Sequence, residues 1–314
     1  MCYSAMITQE YRSYVRATGA EIDIDQFTDI FWNVAQGQKI TVPRAVERWF
    51  DGPKTPAEQK IHDLIAQRRA AQATAWQQEL FTQKKRLADA ERKLAEKETK
   101  AAAESKRIAS NKVEQLVKKL NRLEDPKPHM ADARIFPMHY APIVINDNGR
   151  KVIRLARYHC RLPDKRASVD QQFPGLYNAR RDNIEKYWGS AFGTSHALLL
   201  VESFFENVER GGKNAVLHFQ PRPAGTMYIA CLYSEWADPK TGEKLLSFAA
   251  ITDEPPAEVA AAGHDRMIVS LKPDNLDAWL APRRPRQEVE GREALQAILS
   301  DRQAPFYGHE VLAA

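Results

Sequence analysis

Three textures follow one another along the chain. Residues 1 to about 54 mix apolar and polar positions and close on FDGPKTP, a Gly/Pro break. From Ala57 to Asp125 there is neither glycine nor proline, and Ala, Glu, Lys, Gln and Arg dominate, a helix-forming composition. Thr55, with Pro56 at the first helical position, predicts the start of this segment, and Pro126 its end. Within it Ala73, Leu80, Leu87, Leu94, Ala101 and Ile108 recur every seven residues. The companion positions are weaker: Trp76 and Ala90 fit an apolar seam, while Gln83 and Lys97 do not. The pattern predicts one long coiled-coil helix, on the order of 100 Å at about 1.5 Å per residue. Equally, it predicts a helical hairpin broken near residues 105–111.

From about residue 127 the pattern shortens to strand-length apolar runs between turns. APIVIND, KVIRLARYH, HALLLVESFFENV, NAVLHFQ, TMYIACLYSEW, LLSFAAIT and RMIVSL are rich in β-branched and aromatic residues. DNLDAWLAP and GREALQAILS carry short helical spacing late in the chain. The expected fold class is α+β: a mostly antiparallel, barrel-like sheet formed by residues 1–54 and 127–314, with residues 55–126 as a helical insertion.

Composition narrows the classes. With 43% hydrophobic residues among 314, the chain has material for a core. Its mean hydropathy of −0.54 reflects mainly the helical segment. No basic-then-apolar leader and no run of about 18 apolar residues appears, so neither secretion nor a membrane span is expected. Cys2, Cys160 and Cys231 are few and scattered, which excludes a disulfide framework and CxxC-type zinc spacing; a reducing cytoplasm fits. A net charge of +5 permits a nucleic-acid partner without requiring one. No cofactor or metal is expected, because phosphate-loop, HExxH and G-x-S-x-G patterns are missing and His139, His159 and His196 lack ligand spacing.

Cys2 stands directly behind the initiator methionine. Once Met1 is removed, it carries a free α-amine beside its thiol. GLYNARRD puts Asn178, Arg180 and Asp182 after a Pro-Gly turn, Glu206 closes an apolar run, and His264 precedes Asp265 and Arg266 just before a strand. Taken singly, each also fits a bland role: a turn-stabilising amide, the first polar residue after a buried strand, a histidine bonded to a turn.

Taken together, these segments resemble the SOS response-associated peptidase (SRAP) family, whose members shield abasic sites in single-stranded DNA. The resemblance rests on MC at the start, HYAP at 139–142, NARRD from Asn178, SFFEN around Glu206, and GHDRMIVSLKPDNLDAWL, the most specific stretch. It covers roughly residues 1–50 and 130–310. It implies catalytic roles for Cys2, Asn178, Glu206 and His264, and phosphate contacts by Arg180, Arg181 and Arg266. The implied partner is single-stranded DNA with abasic sites, in a cytoplasmic, nucleoid-associated setting. Self-association or a protein partner through residues 57–125 is a further expectation.

There are departures. Tyr3 and Ser4 replace the family's usual Gly-Arg after the cysteine, which removes one expected phosphate contact. Asp182 stands for the usual Glu, Phe204 and Asn207 for tryptophans, and RYHCRLP matches the Trp-Gly-x-x-Pro segment only loosely.

The implied chemistry is covalent. An unprotonated amine attacks the ring-opened sugar aldehyde to give an imine, and the thiol then closes a thiazolidine. The α-amine ordinarily titrates at about 7.7–8.0, and the ring closure is intramolecular. Two other readings stand beside it. One is an N-terminal-nucleophile cysteine peptidase using the same residues. The other is a catalytically weakened interaction protein using the helical arm.

Overall fold

In a computed structural model the chain is described at residues 4–281 and 288–312. The strands are β1 (Ser4–Ile7), β2 (Glu21–Ile22), β3 (Arg134–Ile135), β4 (Tyr140–Asp147), β5 (Arg150–Tyr158), β6 (Asn178–Arg180) and β7 (His196–Arg210). They continue with β8 (Lys213–Arg222), β9 (Met227–Ala237), β10 (Lys244–Asp253), β11 (Met267–Ile268), β12 (Ser270–Leu271) and β13 (Phe306–Leu312). The helices are α1 (Tyr11–Thr18), α2 (Ile24–Ala35), α3 (Arg44–Glu47), α4 (Pro56–Glu96) and α5 (Lys100–Glu124). After them come α6 (Met130–Ala133), α7 (Val169–Gln172), α8 (Ala257–Ala261), α9 (Leu276–Leu280) and α10 (Glu288–Ser300).

Five strands close on themselves. β7 pairs with β9, β9 with β10, β10 with β5, β5 with β4, and β4 returns to β7. Only the β10–β5 contact of this ring is parallel. Closure leaves no free edge among these strands. Ile143, Leu155, Leu198, Leu200, Ile229, Leu232 and Phe248 are all fully buried. The α+β barrel-like class expected from the strand runs is the fold observed.

β7 belongs to two neighbourhoods. From His196 to Val201 it pairs with β9, and from Phe204 to Arg210 with β8, which in turn carries β13. On its other side β1 runs antiparallel to it, Ser4 opposite Phe205. The second half of β7, with Glu206, therefore projects past the barrel and meets the N-terminal strand.

The helical segment is two helices. α4 starts at a capping box, in which the Thr55 hydroxyl accepts from the Glu58 N–H at 3.2 Å and Pro56 occupies the first turn. It ends after 41 residues, Lys97 is extended, and the Thr99 hydroxyl accepts from the Ala102 N–H to begin α5. The hairpin turn thus falls at residues 97–99 rather than 105–111. An N-capping threonine starts a new helix more effectively than a run of Ser and Asn interrupts one. The buried seam also differs from the expected stripe. Gln83 and Ala90 on α4, with Ala102, Ala109 and Leu116 on α5, are buried, whereas Leu80, Leu87 and Leu94 are half-exposed at its edge. Three of these five seam residues are alanines, which let two antiparallel helices approach. At its base α4 joins the main core through Ile61, Leu64 and Ile65, and Arg68 and Arg69 both pair with the buried Glu47 of α3 at 3.2 and 2.8 Å. No described helix is long and apolar enough to cross a membrane.

Candidate active site

The site is assembled where the second half of β7 meets the loop that follows α8. Glu206 is fully buried on β7, and His264 is 7% exposed. Their side chains meet with His264 Nε2 at 3.0 Å from Glu206 Oε2. Gly263 permits this meeting. Its φ of +100° is closed to most side chains, and a Cβ there would sit 3.9 Å from Val208, two residues along β7 from Glu206. The chain can therefore turn tightly against β7 and lay the next residue over the carboxylate.

Burial holds the His264 imidazole below its ordinary pKa, while its bond to the Arg266 carbonyl works the other way. Nδ1 lies 2.7 Å from that carbonyl oxygen, a distance that requires Nδ1–H as donor. Nε2 then faces the Glu206 carboxyl, close enough for a proton to pass between them.

Arg180 and Arg266 are drawn together from two neighbouring segments, and Asn178 lies two residues before Arg180 on the same strand. β6 runs parallel to β10, with Asn178 opposite Ala250 and Arg180 opposite Thr252, and β11 lies against the same end of β10. Asn178 is buried; Arg180 is exposed at the rim. Asp182 joins the two sequence segments, pairing with Arg180 at 2.7 Å and Arg266 at 2.6 Å. Those bonds, Arg180's first, hold its carboxyl down to about 2. Arg181 turns elsewhere. Its guanidinium bonds Gln296 and Ser300 of α10 and pairs with Asp253 at 2.9 Å. Cys2 lies outside the described residues. Cys160 and Cys231 are fully buried, and burial pushes the Cys160 thiol up to about 12 and the Cys231 thiol higher still. Neither is a nucleophile at neutral pH.

Arg134 is a residue the sequence did not single out. It donates to the Ser4 hydroxyl at 3.0 and 2.9 Å, and its guanidinium lies 3.8 Å over the Phe205 ring. It thereby brings a cation to the head of β1, on the face of β7 that carries Phe205. Nothing local marks it, since it arrives through the pairing of β1 with β3. A further relay, Ser203–His218–Glu310, has the bond order of a hydrolase triad at 2.8 and 3.0 Å. Ser203, however, is sealed inside the sheet with no exposed surface, so the relay is structural. His196 is structural too: its ring stacks 4.2 Å from Trp279, whose indole N–H donates to the Ala197 carbonyl at 3.0 Å. This contact explains the DAWL segment as the anchor of α9 on β7. Among the described residues no His, Cys, Asp and Glu cluster has the makings of a metal site.

A closed α+β barrel with a sequestered carboxylate–imidazole pair beside its N-terminal strand defines the class. The family model described as SOS response associated peptidase (SRAP) matches residues 100–307, and the chain belongs to that family. Membership associates it with DNA and the SOS response and with a peptidase-like activity. No curated protein matches the chain. Solved structures similar to it include a protein from Bacteroides thetaiotaomicron, 16% identical, covering 58% of this chain and 78% of that one with a TM-score of 0.48. A protein from Bordetella bronchiseptica is 17% identical over 58% of this chain and 88% of its own, with a TM-score of 0.47. A phage-related protein from Bordetella bronchiseptica is 15% identical over 61% and 86%, with a TM-score of 0.44.

Proposed function

We propose that this protein binds single-stranded DNA and captures the aldehyde of an abasic site as a thiazolidine on Cys2, after Met1 is removed autocatalytically or by an aminopeptidase. The observation that carries the reading is the buried Glu206–His264 contact, next to the strand that begins at Ser4 opposite Phe205. The chemistry needs a proton taken and a proton returned at one place. The α-amine loses a proton and its nitrogen attacks the aldehyde carbon. The carbinol oxygen then takes a proton and leaves as water, giving the imine. The thiol adds to the imine carbon, a C–S bond forms, and the S–H proton ends on the ring nitrogen. Glu206 and His264, close enough to pass a proton between them, are suited to both directions of transfer.

Asn178 would hold the aldehyde oxygen or the amine by hydrogen bonds. Arg180 and Arg266, already drawn together by one carboxylate at the rim, are suited to take a strand phosphate in its place. The test is a denaturing gel with a single-stranded oligonucleotide carrying one abasic site. The Met1-free protein should give a heat-stable shifted band that C2A lacks, while C2A still binds the strand without crosslinking. A shifted band retained by C2A would overturn the reading.

A further inference from the structure

Away from the Glu206–His264 pair, the end of β5 gathers cations for which the chain provides too few anions. Arg157 and Arg161 are 7% and 6% exposed, and both guanidiniums converge on Asp170 Oδ2, at 2.8 and 2.5 Å. His159, 2% exposed, has Nδ1 3.7 Å from the other oxygen of that carboxylate. Two buried, permanently charged groups thus share one carboxylate. Arg157 Nη2 and Arg161 Nη1 remain sealed from solvent with no hydrogen-bond partner, and so does the hydroxyl of Tyr187. Buried guanidinium nitrogens are ordinarily satisfied, and an uncompensated buried charge is among the costliest features a fold can carry.

The donors are held rigidly. The Arg161 guanidinium lies 4.2 Å over the Trp236 ring, whose indole N–H donates to the Lys165 carbonyl at 2.7 Å. Arg157 Nε donates to the His159 carbonyl at 3.2 Å. Burial works to raise the Asp170 carboxyl, but the bonds from Arg161 and Arg157 prevail and hold it below the usual carboxylate range. Outside lies a basin of about 500 Å³ lined by Lys165, Arg166, Ser168, Val169 and Tyr187, and the Tyr187 phenol feels the Asp170 charge across the strap. That strap, residues 163–175, forms the wall between the basin and the two arginines. Val169 is its one buried side chain, and Asp170 is its electrostatic tie to the barrel.

We propose that Arg157, Arg161 and Tyr187 form a binding site for a phosphate-class oxyanion, reached from the basin, with the Asp170 carboxylate as the internal anion it competes against. A tetrahedral oxyanion presents several acceptors to forked guanidinium donors and a hydroxyl, and it supplies the missing negative charge. The site rests on these residues alone and is independent of the chemistry proposed for Cys2. Its phosphate is either free or part of a nucleic-acid strand.

Titration calorimetry of the full chain with inorganic phosphate, against chloride at matched ionic strength, tests it. Wild type should bind one phosphate saturably. Binding should weaken at least tenfold in R161Q and severalfold in Y187F, and tighten in D170N, where the competing charge is gone. Y187F changes no charge and keeps the test decisive if R161Q does not fold. Absence of saturable binding beyond chloride, or equal binding by wild type, Y187F and D170N, overturns the proposal. An undamaged single-stranded oligonucleotide that displaces phosphate identifies a strand phosphate; one that leaves phosphate bound identifies the free anion.

Discussion

His264 Nε2 and Glu206 Oε2 stand 3.0 Å apart inside the protein, on residues separated by β8, β9, β10 and α8 in the chain. In the proposed mechanism the two pass a proton between them and act as one unit. E206Q and H264Q should each slow adduct formation with abasic DNA by about 10²-fold, within the range usual for acid–base groups. The double variant should be no slower than the worse single one, because the second substitution removes nothing still working. Quenched time courses on gels check this; additive losses would separate the two roles.

Stability should depend on pH through the same histidine. Burial lowers its folded pKa beneath the ordinary value of 6.5, so the unfolded chain takes up the proton first as pH falls. The contribution is complete above about 6.5 and is lost as pH drops through the lower folded value. Thermal melts from neutral to mildly acidic pH should show wild type losing more stability than H264Q. Parallel curves would contradict the assignment.

Arg180 and Arg266 are held by Asp182, half-exposed at the rim. D182A should release both guanidiniums, tighten single-strand binding at low salt and steepen its salt dependence. R180A should flatten the slope of log K against log salt by about 0.7, the value for one phosphate contact on a single strand. Fluorescence anisotropy at several salt concentrations measures both. An unchanged slope in R180A would remove it from the interface.

The helical pair offers a stability test apart from the chemistry. Ala109 is fully buried in its seam. A109L overfills that seam at a cost of about 1–3 kcal/mol. Hydrogen exchange should accelerate across α4 and α5 while crosslinking is unchanged.

Much of this architecture follows from near-neighbour physics and was therefore visible along the chain. Thr55 and Pro56 start α4 and Pro126 follows the end of α5, because capping and a missing N–H act within one turn. The strand runs announce the sheet because alternation and β-branching act within one strand. The order of motifs singled out Asn178, Glu206 and His264 as a set.

Other features depend on registers that no local pattern encodes. The seam chose Gln83 and Ala90 over the leucine stripe because the turn at Thr99 set how α5 faces α4. Arg181 lies in the same short motif as Arg180, yet its guanidinium bonds α10, more than a hundred residues away. Arg134 reaches Ser4 only through the pairing of β1 with β3, and Arg157 and Arg161 meet Asp170 only because the strap folds back over β5. The sequence by itself determined the bounds of the helical segment, the main strand runs, and the motif residues Asn178, Glu206 and His264 as candidates for chemistry. Only tertiary structure decided which of them touch, because side chains far apart in the chain meet through strand register and barrel closure, and local preference contains neither.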